Sequence, residues 1–168
     1  MSSADGGLGK KHEELVRTWL DRPEKGYSFD RIPDQVSGFF GSSNICDFIC
    51  FKYPDMYYIE CKATWSNRFD FSMISEKQHE GLINKSRIQH VHGWVIVLFA
   101  SYKRAFVIDI NEIDRINQLG RKSINIDKLL SGKLDISYSE IETIPNSRKK
   151  YLNYCGELED HLRCERRN

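Results

Sequence analysis

The chain has no surplus of charge of either sign: 25 Lys and Arg stand against 24 Asp and Glu, a net charge of +1 over 168 residues. No strong overall field therefore draws it onto a polyanion or an anionic membrane, and any surface for a charged partner must be local. Long hydrophobic runs are missing too. The longest, Trp94 to Ala100, falls far short of the ~20 apolar residues a membrane-spanning helix needs. The opening Met-Ser-Ser-Ala-Asp-Gly-Gly lacks a basic stretch followed by an apolar one, so no secretory signal is expected. Cysteine is scarce, and its five residues are odd in number and scattered in spacing, which argues against a disulfide framework and suits buried free thiols in a reducing cytoplasm. Cys46 and Cys50 have no matching distal pair, so zinc is not expected there. No repeats or low-complexity segments occur. The length is close to one average domain; a single domain over 1–168 is expected, with a core of about 9–124 and a C-terminal extension over 125–168.

What is present is one dense segment, Ile45-Cys-Asp-Phe-Ile-Cys-Phe-Lys-Tyr-Pro-Asp-Met-Tyr-Tyr-Ile-Glu-Cys-Lys62. Pro54-Asp55 is a turn signal between two apolar runs, Asn44 to Phe51 and Met56 to Cys61, so the segment reads as a β-hairpin. A two-residue loop at that dipeptide pairs Asp47 with Lys62 and Ile49 with Glu60. Alternation then sets Asp47, Glu60 and Lys62 on one face, with Cys46, Phe48, Cys50, Ile59 and Cys61 on the other. Asp47 and Glu60 become diagonal neighbours, roughly 7–8 Å apart at Cα, close enough for both carboxylates to reach one magnesium ion. A one-residue slip would separate them. Acid-x-lysine on an exposed strand is common, but here the acids interrupt strongly apolar, β-prone runs where an unpaired charge is costly. Carboxylates plus a nearby amine are what phosphodiester hydrolysis requires: a divalent cation to neutralise charge on phosphate and to acidify the attacking water.

The rest of the chain supplies a frame. Gly9 to Leu20 has a helical stripe of Leu8, Leu15, Val16, Trp19 and Leu20, and Tyr27 to Ile32 is a first strand. After the hairpin come a short extended piece, Phe69 to Met73, and a capping box, Ser75-Glu-Lys-Gln78, that opens a helix to about Ile88. Trp94 to Phe99 is a continuous apolar strand suited to the centre of a sheet, with Ala105 to Ile110 as its hairpin partner, and Asn111 starts another helix. Ile126 to Leu130 and Lys150 to Leu162 also read as helical. This order implies an α/β fold with a mixed central sheet flanked by helices. Basic clusters occur at Lys10-Lys11, Lys103-Arg104, Arg121-Lys122 and Arg148-Lys-Lys150, and Arg31 ends the first strand, where it can hold a phosphate or make a salt bridge. His12, His79, His90 and His92 show no metal-ligand spacing that suits the carboxylates, which leaves them to packing or the surface.

The hairpin resembles the catalytic hairpin of the PD-(D/E)XK nuclease superfamily, and within it the Holliday-junction resolvases of the RecU type, including short phage-like relatives. The resemblance runs from about Gly9 to Ile124. Gly9-Lys-Lys-His-Glu13 is similar to the family's opening helix with its acid, Asp47 and Glu60-Cys-Lys62 match the catalytic strands, Gln78 falls where the family has a glutamine, and Gly120-Arg-Lys-Ser-Ile124 is similar to a run near the end of the core. Cys46 stands where the superfamily's name has proline. The family's long basic stalk has only a short counterpart, Asp34 to Ser43. The resemblance implies a magnesium-dependent endonuclease, with manganese as an alternative ion. In it Asp47, Glu60 and the Cys61 carbonyl hold the metal, Lys62 positions the water or stabilises phosphate charge, and Glu13 and Gln78 assist. It implies 5′-phosphate and 3′-hydroxyl ends, a four-way DNA junction as substrate, and a homodimer, because two symmetric cuts call for a two-fold axis. Lys10, Lys11, Arg31, Arg121 and Lys122 are the candidate DNA contacts. Alternatives are a repair, restriction or general nuclease of the same fold, or a catalytically silent DNA-binding module.

Overall fold

The computed structural model describes residues 3–33, 44–145 and 152–162. Helix α1 (Ser3–Leu20) leads to strand β1 (Ser28–Arg31), then β2 (Phe48–Lys52) and β3 (Asp55–Thr64). Short β4 (Arg68–Asp70), helix α2 (Glu76–Ser86), β5 (Val91–Phe99), β6 (Arg104–Asp109) and helix α3 (Ile110–Gln118) follow. The chain continues through β7 (Ser123–Asn125), α4 (Ile126–Leu130), β8 (Ser139–Ile141), β9 (Thr143–Pro145) and β10 (Leu152–Tyr154). Six strands form the central sheet in the order β1-β2-β3-β5-β6-β8, and β4 with β7 and β9 with β10 make two small ribbons. The sheet is mixed, since β3 and β5 run parallel, Glu60 beside Val95, while the other neighbours are antiparallel. This is the α/β architecture expected.

Period-two alternation divides the core. Phe48, Cys50, Tyr57 and Ile59 point to the face covered by α1, where Val16, Trp19 and Leu20 form one cluster with Tyr154 and Leu158. Val95, Val97, Phe106 and Ile108 point to the face of Leu82 on α2 and Ile110, Ile113 and Ile116 on α3. Strand β5 is buried on both faces, as its unbroken apolar run predicts for a central position. Helix α2 can lie close on its neighbours because Gly93 of β5 faces it and its own Gly81 faces Ile45. A Cβ on Gly93 would sit 2.9 Å from the Leu82 carbonyl oxygen, and one on Gly81 only 2.4 Å from Cγ2 of Ile45.

Several expectations are corrected. The hairpin loop is Tyr53-Pro54 and not Pro54-Asp55: Lys52 pairs with Asp55, Ile49 with Tyr58 and Phe48 with Ile59. Asp55 belongs to the strand because His92 Nε2 and His90 Nδ1 meet its Oδ1 at 2.8 and 3.2 Å, and because Lys52 stands opposite as a cross-strand partner of opposite charge. The change moves the register by two residues, which preserves side-chain parity. Cys46, expected beside Phe48, is instead buried on the α2 side, since the backbone at Asp47 bends outside β2 and interrupts alternation. Helix α1 starts before Gly9, at Ser3. Phe71–Met73 is a 3-10 turn and not strand. Over Lys150 to Leu162, the described residues form β10 and a 3-10 turn at Leu158–His161 instead of an α-helix. The stalk counterpart and the Arg148 cluster lie outside the described residues.

Candidate active site

Asp47 sits where three strands meet. Its N–H donates to the Ile59 carbonyl at 2.9 Å and its carbonyl accepts from Ile32 N–H at 2.8 Å. Its Oδ2 accepts from Cys61 N–H at 2.7 Å, so the carboxylate is turned onto β3 beside Glu60. In the shifted register Lys62 no longer stands opposite Asp47, and its Nζ lies 2.6 Å from Glu60 Oε1. The same oxygen accepts from Gln78 Nε2 at 2.6 Å. Asp47, Glu60 and Lys62 thus come together on the face they were expected to share, and Gln78 reaches them from α2.

Gln78 caps its own helix and also reaches Glu60. Its Oε1 accepts from Ser75 N–H at 3.0 Å while its own N–H donates to Ser75 Oγ at 3.2 Å, closing the capping box of α2. An amide has two ends: with Oε1 committed to the cap, and also 3.4 Å from Lys62 Nζ, Nε2 is the end that faces Glu60. The helix start therefore fixes the amide's orientation. The Ser75–Gln78 pattern signals the cap in the sequence; that the same side chain reaches across to β3 is visible only in the packed structure.

Glu60 is 2% exposed. Its Oε1 is bonded twice, but among the described residues Oε2 is buried without a hydrogen-bond partner. Burial first, and the Asp47 charge second, push its carboxyl up to about 7 against the pull of Lys62 and Gln78. A buried acceptor with no donor is costly unless something occupies it. An oxygen of this kind beside a second carboxylate fits a hard divalent cation, which takes oxygen ligands. Among the described residues no group of three or more His, Cys, Asp or Glu forms a complete metal cluster, so such an ion would draw the rest of its shell from backbone carbonyl, water or substrate.

The remaining candidates lie around this centre. Glu13 reaches the sheet from α1, pairs with Arg31 at 2.8 Å, and contributes to raising the Cys61 thiol, which burial pushes well above the usual range. Arg31 makes a salt bridge with Glu13, one of the two roles its position allows. With Lys10, Glu14, Arg17 and Phe48, Glu13 and Arg31 line a hollow of about 210 Å³. Lys11 is exposed on α1. Arg121 and Lys122 are exposed and follow Gly120, whose φ of +87° ends α3; Lys122 Nζ lies 3.0 Å from Asn117 Oδ1. His12 is buried in the core, one of the two places foreseen for it. The Asp55–His90–His92 cluster went unforeseen, because nothing in the spacing of the two histidines points to a residue 35 positions away.

A model of the Recombination protein U (RecU) family matches residues 24–154, most of the chain and all of the hairpin. The chain belongs to the RecU family. RecU-family proteins are Holliday-junction resolvases, endonucleases that are generally metal-dependent. Among solved structures, Hjc of Archaeoglobus fulgidus, described as a Holliday junction resolvase, is similar at 18% identity with a TM-score of 0.47, over 71% of this chain and 89% of that one. Comparison with curated proteins finds no match.

Proposed function

We propose that this RecU-family chain cuts four-way DNA junctions with magnesium as its ion, and that Asp47, Glu60 and Lys62 are its catalytic centre. The observation that carries the reading is the buried Oε2 of Glu60, which has no hydrogen-bond partner among the described residues and feels the charge of Asp47. Magnesium, when bound, neutralises charge on the scissile phosphate and lowers the pKa of the attacking water. Asp47, Glu60 and, by family resemblance, the Cys61 carbonyl hold that ion. Lys62 brings its ammonium to the phosphate side and stabilises the charge that develops there. Gln78 orients Glu60 and Lys62 from the cap of α2. Glu13 assists through water, and Lys10, Lys11, Arg31, Arg121 and Lys122 contact the DNA backbone. The products carry 5′-phosphate and 3′-hydroxyl ends. Two chains related by a two-fold axis make the paired cuts, each protomer serving one strand.

The test uses purified protein with labelled four-way junction, fork, single strand and linear duplex, with and without magnesium. Symmetric nicking of the junction in magnesium alone is the expected outcome. Equal cleavage of junction and linear duplex would replace the resolvase with a general nuclease of the same fold, and binding without cleavage in any divalent ion would make the chain a silent DNA-binding module.

A further inference from the structure

Strand β3 ends at Thr64, and the next residue is Trp65, 54% exposed. The backbone beneath the ring is well held: the Trp65 carbonyl accepts from Ser101 Oγ at 2.7 Å, Ser66 N–H donates to Thr64 Oγ1 at 3.0 Å, and the Asn67 carbonyl accepts from Ile126 N–H at 2.9 Å. The ring joins neither hydrophobic cluster. The other tryptophans, Trp19 and Trp94, are 1% and 2% exposed. An indole presented on a pinned loop leaves a large apolar face in water, and tryptophan is enriched where proteins meet their partners. Its place in the chain says what it meets. Three residues after Lys62, its Cα lies at most about 11 Å from that of the lysine, a span of no more than about three stacked nucleotides at 3.4 Å each. An exposed indole therefore lies within that span of the lysine assigned to the scissile phosphate.

We infer that Trp65 is a stacking platform for a DNA base near the cut, and that it favours branched or unpaired DNA. Inside a continuous duplex both faces of every base pair are covered. At a branch point the terminal pairs of the arms, or a base drawn out of pairing, offer a free face, and aromatic side chains bind such faces whatever the base. Trp65 then acts as a specificity-determining residue without touching the chemistry of Asp47, Glu60 and Lys62. This inference rests on the nuclease reading above.

The experiment titrates the protein in EDTA, so that no cleavage occurs, with a dye-labelled four-way junction and a matched linear duplex. Dye anisotropy and tryptophan emission are followed together. Since the other indoles are buried, quenching reports Trp65. The expected result is quenching on the junction and little on the duplex. Trp65→Ala should weaken junction affinity about 5- to 150-fold, the range of one base–aromatic stack, leave duplex affinity unchanged, and be largely rescued by Trp65→Phe. A junction that binds by anisotropy while emission stays still, or a Trp65→Ala variant with parental affinity, overturns the inference and leaves the nuclease reading intact. Absence of anisotropy change on every DNA overturns both. Quenching that depends on protein concentration without DNA gives Trp65 to a second copy of the chain, and overturns the inference too.

Discussion

Two buried polar side chains, His12 and Glu60, lie on opposite faces of the central sheet and are treated differently by it. His12 is wholly buried on the inner side of α1 and both of its ring nitrogens are used: Nε2 lies 2.9 Å from the Ile96 carbonyl and Nδ1 lies 2.8 Å from the Tyr154 hydroxyl. A carbonyl only accepts, so Nε2 carries the proton and Tyr154 donates to Nδ1. Burial pulls the imidazole down to about 4, keeping it neutral at pH 7. Glu60 is almost as buried, but one of its oxygens has no partner and its carboxyl is raised to about 7. The first group is satisfied by the fold alone and joins α1 to the C-terminal ribbon. The second is left unsatisfied next to another acid. Burial by itself does not mark a functional residue; burial with an unmet hydrogen-bonding need does.

The sharpest way to break the comparison is Glu60→Gln, or Asp47→Asn. Either should lower junction cleavage by roughly a thousandfold or more, because an essential ion ligand is lost, while DNA binding persists. Thermal stability of Glu60→Gln in EDTA should be equal to or above that of the parent at pH 7, where an ionised Glu60 is buried. The sign follows from the raised pKa: the folded state binds more protons than the unfolded between about 4.5 and about 7, so the stability contributed by Glu60 is full below that window and falls as pH rises through it. Glu60→Gln should flatten this slope; turnover at the parental rate, or an unchanged slope, would make Glu60 a structural residue like His12.

Lys62→Ala should lower the rate by roughly a hundredfold or more, with Lys62→Arg a poor rescue, since a planar fork does not replace a point donor held 2.6 Å from Glu60. Single-turnover cleavage in saturating magnesium checks it, and full activity would reduce Lys62 to a counter-ion. On the other face, His12→Ala should cost about 2–4 kcal/mol of stability by stranding the Ile96 carbonyl and the Tyr154 hydroxyl, measurable by urea unfolding. Cleavage per folded molecule should stay near parental. The His12 contribution is full above about 6.5 and wanes as pH falls toward 4.

Ser75 and Gln78 separate cap from chemistry. Gln78→Ala should lose about 1 kcal/mol of helix stability together with about tenfold in rate, and Ser75→Ala a similar stability with a smaller rate effect. A shifted pH–rate profile in Ser75→Ala, which a purely structural cap would not cause, is the discriminating readout. The smallest effect belongs to Arg121 and Lys122. Replacing both with alanine should weaken junction affinity and reduce the salt slope by roughly one per charge; an unchanged slope assigns them to the solvated surface.

Much of the frame could be read directly from residues. The apolar run of β5 identified the centre of the sheet, Ser75 and Gln78 opened α2, and the alternation of Glu60 and Lys62 set their common face; each signal is local, within a turn or a strand. The readings that failed needed partners far away in the chain. The hairpin loop moved to Tyr53-Pro54 because His90, just before β5, and His92, on it, claim Asp55. The segment before Leu162 became a ribbon and a 3-10 turn because Tyr154 and Leu158 pack under α1, and Cys46 turned to the other face because the backbone bends at Asp47.

By itself, the sequence determined which residues share a face of β3, since parity depends only on counting by two and survives the two-residue change of register. It also determined that Gln78 caps α2, a matter of residues three apart. Only the tertiary structure decided that Lys62 pairs with Glu60, that Gln78 spans from cap to carboxylate, and that among the described residues Glu60 keeps one oxygen unpartnered while His12 keeps neither nitrogen so. Those outcomes depend on how closely Gly81 and Gly93 let α2 lie on the sheet and on where the chain beyond β8 returns under α1. Both are set by packing between segments that are distant in the chain, which no local pattern encodes.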